Sequence, residues 1–255
     1  MKQKSSFFNF LLSFLIISFI ASNVNATSYR FGVYENQELV WRCKLCNQGE
    51  MDNIFGIDWN EDGILKNLSQ GSRMKWKINS VNVNESFIKF NFSIWEWTRK
   101  SLWGVKDNDS EIMFFSNPRD YSHELNFTYY SSLVPFIFPI PVGEYIGGLN
   151  LNKWYDVDNR VLPTLNAEIG KDEISPGVPS LEIKIIAIYN DQGILNSYKL
   201  YTAGNVVIIE ISFDFLPFYV IPTLIGLIFV FFLSTTLYFV KKRKAIRPEK
   251  NFIVK

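Results

Sequence analysis

The sequence predicts a mainly β protein. Its ectodomain is antiparallel, built as a curved sheet, a sandwich or an open barrel, with a β-rich α+β arrangement as the alternative. One C-terminal transmembrane helix follows. Three observations predict this. Apolar and polar residues alternate with period two in run after run between Thr27 and Phe215. Clusters of Asn, Asp and Gly punctuate those runs as turns do. An uncharged apolar stretch, Leu216 to Val240, stands directly before a basic cluster.

The two ends set the topology. Lys2 and Lys4 precede an apolar run, Phe7 to Ile20, and the small residues Val24 and Ala26 follow it. That is the layout of a secretory signal peptide over residues 1–26, with an uncleaved signal anchor as the alternative. At the other end, a bilayer core of ~30 Å needs about 20 apolar residues at ~1.5 Å each, so residues 216–240 are long enough to span. Lys241, Lys242, Arg243, Lys244 and Arg247 open the tail, residues 241–255. Basic clusters of this kind stay in the cytoplasm. The expected product is a single-pass type I protein of the cell membrane, with residues 27–215 outside.

Within the outer region, residues 39–46 alternate as a strand. Met74, Trp76 and Ile78 share one face of a second strand, against Lys75 and Lys77. Ile88, Phe90, Phe92 and Ile94 do the same in a third, and the turn at residues 81–85 makes the pair a hairpin. Glu111 to Ser116 and Leu125 to Tyr130 read as further strands. Leu181 to Tyr189, Ile194 to Tyr201 and Val206 to Phe213 form a meander, turned at residues 190–193 and 203–205. Short helices are expected at residues 50–55, 64–69 and 143–149. Leu133 to Val142 is apolar but carries three prolines, so it is expected to be a buried irregular segment.

The chain has two cysteines, Cys43 and Cys46. Uninterrupted alternation would point them to opposite faces with Cα atoms about 10 Å apart. A disulfide needs less than about 7 Å. A bond between them therefore requires the chain to turn at Lys44 and Leu45. A small structural disulfide is the first reading, free or intermolecular thiols the second, and redox or metal chemistry the third. If the strand runs on, Cys43 is a core residue and Cys46 an exposed thiol.

Asp58, Asn60 and Asp62, with Gly63 next, match the first half of a calcium loop, but position 12 is Ser69 where such a loop has Glu. An Asx/Gly turn is the simpler reading, and calcium is the one cofactor considered. Trp95, Trp97 and Trp103 cluster near Arg99 and Lys100, as residues that stack on sugars or partner proteins do, although such residues also close β cores. Sequons stand at Asn67, Asn84, Asn91, Asn108 and Asn126 and suit a glycosylated outer surface.

The 26 basic and 25 acidic residues hide two opposite regions. Residues 27–215 carry 17 basic and 24 acidic side chains, a net of −7, and residues 241–255 carry 7 and 1, a net of +6. An acidic outer domain makes a poor nucleic-acid binder. The basic tail suits anionic inner-leaflet lipid. His123 is the lone histidine, and no Ser/His/Asp order, HExxH or Gly-rich phosphate loop occurs.

The phrases FGVYENQELVW, GSRMKWKI and DQGILNSYKLYTAGNVVIIEI resemble recurring elements of secreted, single-span surface proteins of Asgard archaea whose function is not known. The likeness covers most of the chain in layout. It implies display at the cell surface and assigns no residue a role. The expected function is therefore a membrane-anchored surface binding or structural protein. Its partners would be the bilayer through one helix and a surface glycan, protein or lipid ligand, with no nucleic acid. A curved sheet cradling a lipid is the alternative, and an extracellular thiol oxidoreductase using Cys43 and Cys46 the second.

Overall fold

The computed structural model describes residues 28–127, 131–170, 182–202, 204–214 and 220–245. The predicted signal segment and the tail beyond residue 245 lie outside them. Nine strands run in chain order: β1 (Glu38–Cys46), β2 (Arg73–Val83), β3 (Phe87–Thr98), β4 (Asn108–Phe115), β5 (Tyr155–Asp158), β6 (Thr164–Ile169), β7 (Ile183–Tyr189), β8 (Leu195–Thr202) and β9 (Val206–Phe213). They form one antiparallel sheet in the order β4-β3-β2-β1-β9-β8-β7-β6-β5. The β2–β3 hairpin and the β7–β8–β9 meander stand where alternation put them. A single sheet with two edge strands, β4 and β5, is neither a two-sheet sandwich nor a closed barrel.

One face of the sheet carries the core. Leu39, Trp41, Trp76, Ile78, Phe90, Leu165, Ile185, Leu200 and Ile209 are all buried there. Three pieces cover them: the N-terminal segment with Phe31 and Val33, the helix α1 (Gln48–Phe55) with Met51 and Ile54, and residues 131–151. The last piece includes the helix α2 (Val142–Gly147). Asn47 starts α1 by accepting from Glu50 N–H, and Gly56 ends it at φ 89°. The predicted helix at 64–69 is only a 3₁₀ turn, Gly63–Leu65, because Asn67 at φ 63° breaks it.

The proline-rich segment is buried, as its composition demanded. Val134, Phe136, Ile137 and Phe138 are 0–2% exposed. Its backbone is satisfied by side chains and by the β7–β8 turn. Tyr155 and Tyr189 donate hydroxyls to Leu133 O and Pro135 O at 3.0 and 2.7 Å. Phe138 N–H donates to Gly193 O, and Leu195 N–H donates to Phe136 O, both at 2.8 Å.

Three expectations need correction. Residues 125–127 form no strand, only a bridge from Leu125 to Leu151, and residues 128–130 lie outside the described residues. The strands β5 and β6 were not foreseen. At Cys43 and Cys46 neither anticipated geometry forms. The strand runs on, but one extra residue is inserted: Cys43 pairs with Ile211 and Leu45 with Glu210. That bulge at Lys44 resets the alternation, so both cysteines end on the covered face, buried and unbonded.

Val220–Ala245 forms a third helix, α3. Its side chains are described over residues 224–239 only, where Leu224, Ile228, Phe231 and Phe239 are among those more than half exposed. Among the described residues no helix is long and apolar enough to cross a membrane.

Candidate groove at the edge of the sheet

The covered face is not filled everywhere. Ile88 and Phe90 are fully buried, with Phe90 packed against Phe31 at 4.7 Å. Beside Phe92 and Ile94 the packing stops, and a cavity of about 380 Å³ opens between β2–β4, the 3₁₀ turn and residues 132–136. Such a volume is within the range of small-ligand sites. Trp76, Phe92 and Phe136 form its floor, and Ile94 and Ile112 its walls. Sheet alternation positions the first two, and the proline-rich crossing brings in the third. An apolar ligand cradled along all of Ile88, Phe90, Phe92 and Ile94 has no room; only the end at Phe92 and Ile94 is open.

Four acidic residues, Asp62, Glu96, Asp109 and Glu111, and one cation, Lys66, border the cavity; Asp109 and Glu111 do so at the edge of β4, since their register sets their side chains on the opposite face. Glu96 accepts from Lys66 at 3.0 Å and from Asn67 Nδ2 at 3.1 Å, and this partner raises the Lys66 pKa. Lys89 reaches Glu111 at 3.2 Å from the opposite face of the sheet. Asp109 accepts from Lys106, and from Ser93 Oγ at 2.7 Å. The Lys106 ammonium, then the Ser93 hydroxyl, hold its carboxyl below the usual carboxylate range. Asp109 thus holds its charge to lower pH than a free aspartate does.

Of the residues singled out in the sequence, Asp62 alone among the calcium candidates joins this rim. Asp58 and Asn60 lie in the turn before it, where Asn60 O accepts Asn67 N–H at 2.9 Å. Gly63 follows at φ 69°. Asp52, on α1, accepts from Trp59 Nε1 at 2.9 Å. Among the described residues no group of three His, Cys, Asp or Glu is placed to hold a metal ion.

The tryptophans divide. From Arg73–Thr98 to Lys75–Trp95, three residues of β2 face four of β3, and this bulge sends Trp97 to the opposite face from Trp95. Trp97 is buried and donates to Ile64 O at 2.7 Å, closing the core beside the groove. Trp95 and Trp103 lie on the other face around Lys75, whose ammonium is 3.9 and 5.4 Å from their ring centroids.

The sequon asparagines also differ. Asn91 is half-buried and donates to Ser80 Oγ at 3.1 Å, and its sequon hydroxyl, Ser93, is buried. Asn67 is held by Glu96, and Asn84 Oδ1 accepts two backbone N–H groups in the β2–β3 turn. Asn108 is exposed at the start of β4, and Asn126 is half-buried.

Cys43 Sγ donates to Leu45 O at 3.1 Å, and the two thiols share a hydrogen bond. That bond, then burial, pushes the Cys43 thiol well up, while the same bond draws Cys46 down. No helix begins at Cys43, and exposures of 0% and 9% leave neither sulfur open to a partner's disulfide. With maleimide, the folded protein is expected to label at neither cysteine and the unfolded protein at both. Labelling of the folded chain, read by intact mass, would show that the Lys44 bulge opens.

The wall residue Ile112 and the floor residue Phe136 carry no motif, and Asp109 stands inside the Asn108 sequon. The strand expected at Glu111–Ser116 gave the signal for Ile112, and the buried proline-rich run for Phe136. Comparison with known proteins returns no family model, no curated protein and no solved structure that matches this chain.

Proposed function

We propose that the chain is a membrane-anchored binding protein of the cell surface, held by one C-terminal helix, with the groove at the β4 edge as its ligand seat. The groove carries this reading. It joins an apolar floor to a rim of fixed polar groups, the composition of a recognition site. The basic start and small residues of segment 1–26, and the uncharged run before Lys241, support export and anchoring.

Filling the groove tests it. Ile112 is half-buried on its wall, so Ile112→Trp occupies the cavity without removing a core side chain. Full-length protein is expected to bind envelope fragments of its host saturably, and Ile112→Trp to weaken that binding about tenfold or more. Equal binding by variant and wild type, at equal thermal stability, would place the ligand elsewhere.

A further inference from the structure

The groove and the free edge of the sheet are one feature. Along a strand, alternate side chains face alternate sides, so a cavity on one face should touch every second residue. This cavity touches Asn108, Asp109, Ser110, Glu111 and Ile112 in succession. It therefore reaches around to the outer backbone edge of β4.

Among the described residues no strand pairs with that edge. β4 ends the strand order and has β3 as its one neighbour. Its backbone polarity follows from its C-terminal end. Ser116 N–H donates to Ser86 O, toward β3, whereas Phe115 N–H donates outward to the Tyr121 hydroxyl at 3.3 Å. N–H and C=O directions alternate residue by residue in an antiparallel strand. Met113, Glu111 and Asp109 thus point theirs away from the sheet, where among the described residues nothing pairs with them.

We propose that this edge receives an extended segment of a partner protein, alternately cationic and apolar, which adds to the sheet as a further strand. The proposal rests on the binding function above and names its partner. A strand ~4.8 Å beyond β4 sets its alternate side chains beside Ser110 and Ile112, at the mouth of the groove. Its other side chains lie beside Asp109 and Glu111, on the opposite face. The first set is apolar to match the groove, and the second Lys or Arg to match the carboxylates. A second copy of this chain fits badly. Antiparallel self-pairing centred anywhere on Asp109–Glu111 sets carboxylate against carboxylate, which is destabilising. The same charges repel acidic strands and so guard the edge against pairing with them.

The test uses full-length protein in detergent and a fluorescent peptide, acetyl-Lys-Val-Lys-Ile-Lys-Val-Lys-amide, read by anisotropy. Three controls accompany it: the same peptide N-methylated at alternate residues, its Glu-for-Lys counterpart, and the variant Glu111→Pro. Proline at this position removes one outward N–H and spares the pairing to β3. The expected result is saturable binding of the Lys peptide, with no binding of the Glu peptide. N-methylation and Glu111→Pro should each weaken it about tenfold or more. Binding insensitive to N-methylation would reduce it to charge attraction, which Glu111→Pro also weakens by removing a carboxylate, and would overturn the proposal. So would a dimer of the wild type that Glu111→Pro dissociates, since the edge would then belong to a second copy. Should Glu111→Pro fail to fold, the N-methylated peptide decides on the wild type alone. Failure of every peptide, with envelope binding still lost in Ile112→Trp, would overturn strand addition and leave the binding function standing.

Discussion

Gly193→Ala is expected to destabilise the ectodomain by about 2–5 kcal/mol, the sum of a left-handed backbone penalty and an overpacked contact. Gly193 sits in the β7–β8 turn at φ 81°, and a Cβ there would lie 2.0 Å from the Phe138 carbonyl oxygen. Backbone cannot yield as a flexible side chain would. The contact exists because Gly193 O accepts the Phe138 N–H at 2.8 Å, which ties the proline-rich segment to the sheet. Relief of the clash therefore breaks that bond and lifts Phe136 and Phe138 from their seats. The second is a ring partner of Tyr189 at 5.0 Å. Differential scanning calorimetry of the full chain checks this, since each kcal/mol moves Tm by about 2–4 °C in a domain this size. An unchanged Tm would mean that the segment is not held at this turn. Gly204 serves as the control. It also has a positive φ, of 84°, but open space around its Cβ position, so Gly204→Ala should cost only the backbone penalty of about 1–2 kcal/mol.

The local parts of the fold were legible and the long-range parts were not. In β2 and β3 the apolar period of two survives over many residues, and a two-strand hairpin needs no distant information. The same holds for β7, β8 and β9. β5 and β6 are short, and Asp156, Asp158, Arg160 and Pro163 interrupt their apolar pattern. The pairing of β1 with β9 joins segments at opposite ends of the domain, and no spacing in the chain announces it. Bulges are invisible for a related reason. Lys44 is an ordinary strand residue in isolation, and only the register against β9 makes it the extra one. That single residue decides whether Cys46 faces water or core.

The groove shows the same division. Trp76, Phe92 and Ile94 could be placed on one face from alternation alone. Their cavity depends on where two irregular segments cross that face, and irregular segments carry no period. Asp62 drew notice for a calcium pattern and instead contributes a carboxylate to the rim. Trp95 and Trp97 drew notice as one cluster, and the β3 bulge puts them on opposite faces.

Trp41→Ala is expected to be the most damaging single substitution, costing at or above the upper end of the ~3–5 kcal/mol typical of a large aromatic truncation. Trp41 is fully buried on β1, the strand that joins the β2–β4 half of the sheet to the β5–β9 half. Its ring meets Trp76, Phe136 and Phe213 edge-on or tilted, at 4.9, 5.2 and 5.6 Å between centroids. Its Nε1 donates to Leu195 O at 2.8 Å, beside the point where Leu195 N–H holds Phe136. One side chain thus links the sheet's middle, the covering segment and the groove floor. Trp41→Phe separates the contributions: it keeps a ring but orphans the Leu195 carbonyl, which by itself costs about 1–3 kcal/mol. Equilibrium unfolding of both variants in urea gives the difference. A small loss in Trp41→Phe and a large one in Trp41→Ala assigns the stability to packing. Equal losses would assign it to the buried hydrogen bond, and negligible losses in both would show that the two halves of the sheet hold together without this residue. Against a total of about 5–15 kcal/mol for a domain, Trp41→Ala should leave a measurable unfolded fraction and weaken the groove by loosening Trp76 and Phe136 together.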